Sequence, residues 1–219
     1  MNEIGGIDVW VDSPILYVLG LLFAVWVAVS REARVALQGY VVQVIVIGLL
    51  YLAAAIKTGD PMIWLALVGL TAIRIIFIPW LLRRSLPQVL YGQRQSRELI
   101  SPANGVIIYI ILGAIGLGIG KRLENGLLGT DFGMALGALL IGFAIVAIAH
   151  HTPKQILGIL AADNGVDLAI VLTVTRVSVV ADYAVFVDVA LAVVCLALLV
   201  IRLRMYGTSH AHDLHELRG

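Results

Sequence analysis

Charge is scarce in this 219-residue chain. Only 13% of its residues are Asp, Glu, Lys or Arg, against ~25% in an ordinary soluble domain. Fifteen Lys and Arg against fourteen Asp and Glu leave no basic excess to meet phosphates, so nucleic-acid binding is excluded. There is one cysteine, Cys195, within an apolar run. No disulfide, thiolate zinc site or iron–sulfur cluster can be built from this chain alone, and Cys195 reads as a small buried apolar residue. The segment before the first apolar run carries Glu3, Asp8 and Asp12 and no Lys or Arg, the reverse of a secretory leader. No phosphate-binding G-x-x-x-x-G-K-[ST] loop is present, and no Ser-His-Asp or Cys-His arrangement stands out. No cofactor is expected in this chain.

What the chain has instead is apolar length. Hydrophobic residues make up 61%, and the mean hydropathy is +1.01. A span of ~20 apolar residues crosses the ~30 Å hydrocarbon layer. Seven runs qualify: Pro14–Ser30, Leu37–Ile56, Met62–Leu82, Ala103–Gly120, Phe132–Ala149, Gln155–Val174 and Val179–Ile201. With no alternating ten-residue pattern a barrel is ruled out, so the expectation is an all-α polytopic membrane protein of seven transmembrane helices. Residues 1–102 form an N-terminal three-helix part with a connector, 103–204 a four-helix part, and 205–219 a polar tail. Gly113, Gly116, Gly118 and Gly120, and the Gly133/Gly137 pair, suit close helix–helix approach.

Orientation follows from Lys and Arg in the short loops. With the N-terminus outside, ten fall in cytoplasmic segments (Arg31, Arg34, Arg83, Arg84, Arg94, Arg97, Lys154, Arg202, Arg204 and Arg218) and four outside. The expectation is N-out and C-in, in the cytoplasmic membrane. The connector from Arg83 to Pro102 reads as a solvated basic loop, or a surface helix against headgroups or a partner. His150 and His151 stand at a span end. The tail histidines, His210, His212 and His215, suit a polar extension more than a metal site.

Five ionisable groups lie inside spans: Arg74, Asp163, Asp167, Asp182 and Asp188. Each costs ~2.5–3.5 kcal/mol at mid-bilayer if ionised and lipid-facing, so they are expected to face protein or water. At ~1.5 Å per residue, Arg74, nine residues from Arg83, and Asp163, nine from Lys154, both lie ~13 Å from the inner boundary. Their matched depth predicts an ion pair if the third and sixth helices are neighbours. Asp167 lies one turn above Asp163 on the same face. Asp188 stands at ~21 Å and Asp182 near the outer boundary. Such a ladder suits a proton relay, and equally a set of structural pairs with partner subunits. Asn164 and Gly165 offer a place for a helix bulge, though close packing explains Gly165 as well.

Four stretches carry a family resemblance. KQILGILAADNGVDLAIVL (Lys154–Leu172) and VVADYAVFVDVALAVV (Val179–Val194) resemble the hydrogenase-4 component E family, membrane subunits of formate hydrogenlyase and related group 4 hydrogenases. That family carries an acidic-Asn-Gly triplet, here Asp163-Asn164-Gly165. In its next helix an acidic residue is followed six positions later by Asp, here Asp182 and Asp188. PMIWLALVGLTAIRIIFIPWLLRRSLP (Pro61–Pro87) is also similar, with Arg74 where a basic residue is usual, and so is the ending LHELRG. Residues 132–201 are further similar to the three-helix K subunit of respiratory complex I and the C subunit of multi-subunit cation/proton antiporters. Asp163 and Asp182 depart from the usual Glu; the shorter side chain leaves gaps for water to bridge. The resemblance implies a non-catalytic subunit of a hydrogenase-type, complex-I-related complex, with Asp163, Asp167, Asp182, Asp188 and Arg74 on a proton or cation route. Its implied partners are antiporter-like membrane subunits, other membrane-arm subunits, peripheral redox subunits and lipid. The alternatives are an antiporter-like or carbon-uptake complex without hydrogenase chemistry, and a scaffold subunit.

Overall fold

The computed structural model describes residues 14–85, 102–123, 129–149 and 152–176. Among them there is no β-strand, and helices hold nearly all of them. We number the helices α1 (Pro14–Val29), α2 (Ala33–Thr58), α3, α4 (Pro102–Arg122), α5 (Gly129–Ile148) and α6 (Thr152–Arg176). Helix α3 is composite: Pro61–Leu70 is α-helical, Thr71–Phe77 is π-helical, and Ile78–Ser85 is α-helical again. These six helices coincide with the first six apolar runs. Five of them are long and apolar enough to cross a membrane, and α1 is a shorter apolar helix. The chain thus has the build of a multi-pass membrane protein. The seventh run, Val179–Ile201, lies outside the described residues, as do His150, His151, Cys195 and the tail histidines.

Local chemistry sets the helix ends. Helix α2 stops at Gly59, whose left-handed φ of 67° turns the chain while its N–H donates to Ala55 O. Asp60 then caps α3: Met62 N–H donates to its Oδ1 at 2.8 Å, and Pro61 occupies the first turn, where no donor is needed. Two residues therefore reverse the chain. At the opposite end of the bundle, Ser30 closes α1 with its hydroxyl on Trp26 O at 2.6 Å.

Helix α6 lies at the centre, against α5, α2 and α1; α4 packs on α5, and α3 on α2. Small residues allow the close approaches. A Cβ at Gly116 would stand 2.6 Å from Gly133 O, and one at Gly120 would stand 2.6 Å from Gly133 Cα, so α4 and α5 touch backbone to backbone. On the α6 side, Gly142 of α5 abuts Ala162, Gly158 abuts Val146, and Gly165 abuts Leu139. Gly113 and Gly118 have open space where a Cβ would sit, though Gly113 itself receives Gly137. The outward faces of α3 and α4 are apolar, with Leu65, Val68, Ile76, Ile107, Ile110 and Ile111 exposed. In a membrane such faces meet lipid or another subunit.

Two expectations need correction. Lys154, counted as a cytoplasmic loop charge, is buried in the first turn of α6, where its Nζ donates to Ser30 O at 2.8 Å. The carbonyl end of α1 attracts the cation, and the contact sets the end of α1 beside the start of α6. The helix bulge falls at Thr71–Phe77, not at Asn164-Gly165, where α6 runs on as a regular α-helix. Gly165 is explained by its contact with Leu139.

Candidate functional site

Helix α6 has two working faces. Gly158, Ala162 and Gly165 form a smooth stripe that receives α5. Asp163, Asn164 and Asp167 share the other side, since residues three and four apart stand one turn above each other. That polar side is closed over by α2 and by Arg74 of α3. Arg74, Asp163 and Asp167 are 2%, 4% and 0% exposed, so all three are withdrawn from the surface.

The guanidinium holds the cluster together. Arg74 Nη2 stands 2.7 Å from Asp163 Oδ2. Nη1 donates to Asp167 Oδ2 and, at 3.2 Å, to Asn164 Oδ1. The matched depth of Arg74 and Asp163 thus corresponds to a direct ion pair. The Arg74 side chain makes the reach, because α3 packs mainly on α2. Arg74 sits at the centre of the π-helical stretch. A π turn inserts an extra residue and re-aims the side chains around it, which is why such turns collect at functional positions. Thr71 marks its start, with Oγ1 on Leu67 O at 2.9 Å.

A chain of amides extends the cluster to α1. Asn164 Nδ2 donates to Gln43 Oε1 at 3.0 Å, and Gln43 Nε2 donates to Gly20 O at 3.1 Å. Both amides are fully buried. Their orientation is determined from the ends. A backbone carbonyl only accepts and a guanidinium only donates. Gln43 must therefore show its amino group to Gly20 and its carbonyl to Asn164, and Asn164 must show its carbonyl to Arg74. Four helices contribute to one connected polar array, which is favourable because its members satisfy one another away from water. One oxygen, Asp167 Oδ1, is buried with no hydrogen-bond partner among the described residues.

The structure therefore brings together three of the five expected ionisable residues, Arg74, Asp163 and Asp167. Asp182 and Asp188 lie outside the described residues. Gln43 is the member of the array that a reading of charged residues within the spans does not reach. An uncharged amide amid VVQVIVIG is the signal that was there to find. Chemically, the cluster ties α1, α2, α3 and α6 together through paired charges and amides. Among the described residues the cluster contains no nucleophile–base pair.

Over 209 residues, the chain is 26% identical to a protein of Mycobacterium tuberculosis (strain ATCC 25618 / H37Rv) named "Uncharacterized protein Rv0085". The match covers 92% of this chain and 92% of the other. No family model and no solved structure matches the chain. The similarity thus covers most of both chains.

Proposed function

We propose that the chain is an integral subunit of a hydrogenase-type, complex-I-related complex of the cytoplasmic membrane, oriented N-out and C-in with seven spans. In this reading its intramembrane carboxylates contribute to proton or cation translocation, and redox chemistry belongs to other subunits. One observation carries the reading: a buried guanidinium between two buried carboxylates, joined by amides to two further apolar helices. Ionisable groups are costly at this depth, and those that persist there mark ion pathways or charge pairs. The pairing is made within the chain, so Arg74, Asp163 and Asp167 are not available to dock a partner by charge. That weighs against a scaffold whose buried charges serve only assembly. The resemblance of Lys154–Leu172 and Pro61–Pro87 to hydrogenase-4 component E supplies the type of complex, and with it antiporter-like, membrane-arm and peripheral redox partners.

The test is the composition of the intact complex, isolated through this subunit in mild detergent and identified by mass spectrometry. The reading requires a nickel–iron large subunit together with an antiporter-like subunit. Antiporter-like partners without a redox subunit would replace it with a transport complex, and recovery of the chain alone would overturn both. In the assembled complex, Asp163→Asn is expected to abolish ion coupling while leaving assembly intact. Loss of assembly with no separate loss of coupling would return the buried charges to a structural role.

A further inference from the structure

We propose that the outward face of α3 docks phospholipid and not another subunit. Acyl chains lie along Leu65, Val68, Ile73 and Ile76, and Trp64 and Trp80 stand at the two headgroup levels. This surface follows from the multi-pass build of the chain and not from which complex the chain joins. The tryptophans carry the assignment. Trp26, Trp64 and Trp80, the three described, are 44%, 40% and 51% exposed. Each stands near a helix end: Trp26 close to the end of α1, Trp64 in the first turn of α3, and Trp80 in its last helical stretch. An indole has an apolar body and one N–H, so in membranes it collects where hydrocarbon meets headgroups.

The levels agree between helices. A short turn on either side of α2 makes α1 and α3 parallel. Trp26 lies six residues beyond Gly20, and Trp80 six residues beyond Arg74. Gly20 and Arg74 both belong to the polar array, joined through Gln43 and Asn164. At ~1.5 Å per residue, both indoles stand ~9 Å from the array on the same side. Each carries a phenyl ring three residues deeper: Phe23 lies 5.7 Å from Trp26, and Phe77 lies 6.0 Å from Trp80, between ring centroids. A flat boundary running past both helices explains the shared level and the repeated pair; a subunit seated on α3 alone does not. Trp64 lies ten residues before Arg74, ~15 Å to the other side. The two levels are thus ~24 Å apart along α3, close to the ~30 Å hydrocarbon layer. Just beyond the Trp26 and Trp80 level come Arg31, Arg34 and Arg83, all exposed, with Glu32 the one acidic residue described there. Guanidinium groups at that height match lipid phosphates in charge. The outward face of α4 carries isoleucines and no tryptophan, so the assignment does not extend to it.

The test is photocrosslinking of the full chain in the membranes of the cells that make it. Benzoylphenylalanine replaces Leu65 or Val68, both exposed and away from the polar array, and the adducts are identified by mass. Phospholipid adducts are expected at both positions. An adduct to a protein, a second copy of this chain included, overturns the proposal. A second measurement reads depth. In chains that keep one tryptophan at a time, the others replaced by phenylalanine, lipids brominated near the headgroup are expected to quench Trp64 and Trp80 more than lipids brominated at the chain end. Trp26 is expected at the depth of Trp80. Stronger quenching from the chain end, or unequal depths for Trp26 and Trp80, overturns the two-level frame and the proposal with it. Neither measurement needs a redox or antiporter-like subunit. If the complex lacks both while the adducts are lipid, the docking surface stands and the hydrogenase-type reading fails.

Discussion

Replacing Arg74 by methionine removes the charge at the centre of the bundle and keeps an unbranched apolar stem. The substitution abolishes the pair with Asp163 at 2.7 Å, the pair with Asp167, and the hydrogen bond to Asn164 at 3.2 Å. Interhelical hydrogen bonds inside membranes average only ~0.6 kcal/mol, so the amide contact is the smaller loss. Breaking a buried ion pair by deleting one partner costs ~3–5 kcal/mol, because the remaining charge is left without compensation. The charge term therefore dominates, and the expected loss is ~3–5 kcal/mol, a large share of a typical ~5–15 kcal/mol. The triple variant Arg74→Met, Asp163→Asn, Asp167→Asn orphans no charge and is expected to recover most of that loss, since replacing a whole buried ion cluster is often close to neutral. Denaturant unfolding in mild detergent, followed by tryptophan fluorescence, measures both. A single variant that loses less than ~1 kcal/mol, or a triple variant as unstable as the single, would refute the claim that uncompensated charge governs this site.

Other substitutions separate the remaining contributions. Gln43→Leu breaks the amide bridge to α1 and orphans Asn164 Nδ2, for an expected loss of ~1–2 kcal/mol by the same unfolding assay. Gln43→Glu is expected to be worse than Gln43→Leu, because an ionised carboxylate cannot donate to Gly20 O and adds a buried negative charge; the reverse order would contradict the assigned amide orientation. Gly142→Val drives a side chain into the Ala162 backbone and is expected to cost at least ~1–3 kcal/mol, whereas Gly118→Ala meets no atom within 4 Å and should be neutral or stabilising by up to ~1 kcal/mol. Lys154→Met keeps the buried stem and loses the hydrogen bond to Ser30 O, for ~1.5–3 kcal/mol in thermal or denaturant unfolding.

Much of the architecture is legible in the chain because membrane helices are announced locally. A run of ~20 apolar residues identifies a span wherever it packs. Gly59, Asp60 and Pro61 specify the α2–α3 turn by their own backbone preferences. Lys154 misleads for the opposite reason. Beside His151 and Pro153 it reads as a loop charge, yet its position at the foot of α6 under the end of α1 buries it. The π-helical stretch carries no local mark either. TAIRIIF is an ordinary apolar helical sequence apart from Arg74, and its wide turn belongs to the requirement that Arg74 reach α6 from a helix packed on α2.

Depth along a helix is counted in residues, so the sequence by itself determined that Arg74 and Asp163 lie at one level and that Asp163 and Asp167 share a face. It also determined an all-helical chain, since in hydrocarbon every backbone group must be satisfied within its own segment. Azimuth and neighbours are not counted in residues. Which way each helix turns about its axis, and which helix it meets, depend on the packing of Gly116 on Gly133 and of Gly142 on Ala162, between residues 17 to 20 apart in sequence. Only the packing of α3 on α2, and of α2 on α6 and α1, decided that one guanidinium would meet both carboxylates, and that Gln43 would carry the array from Asn164 to the carbonyl of Gly20.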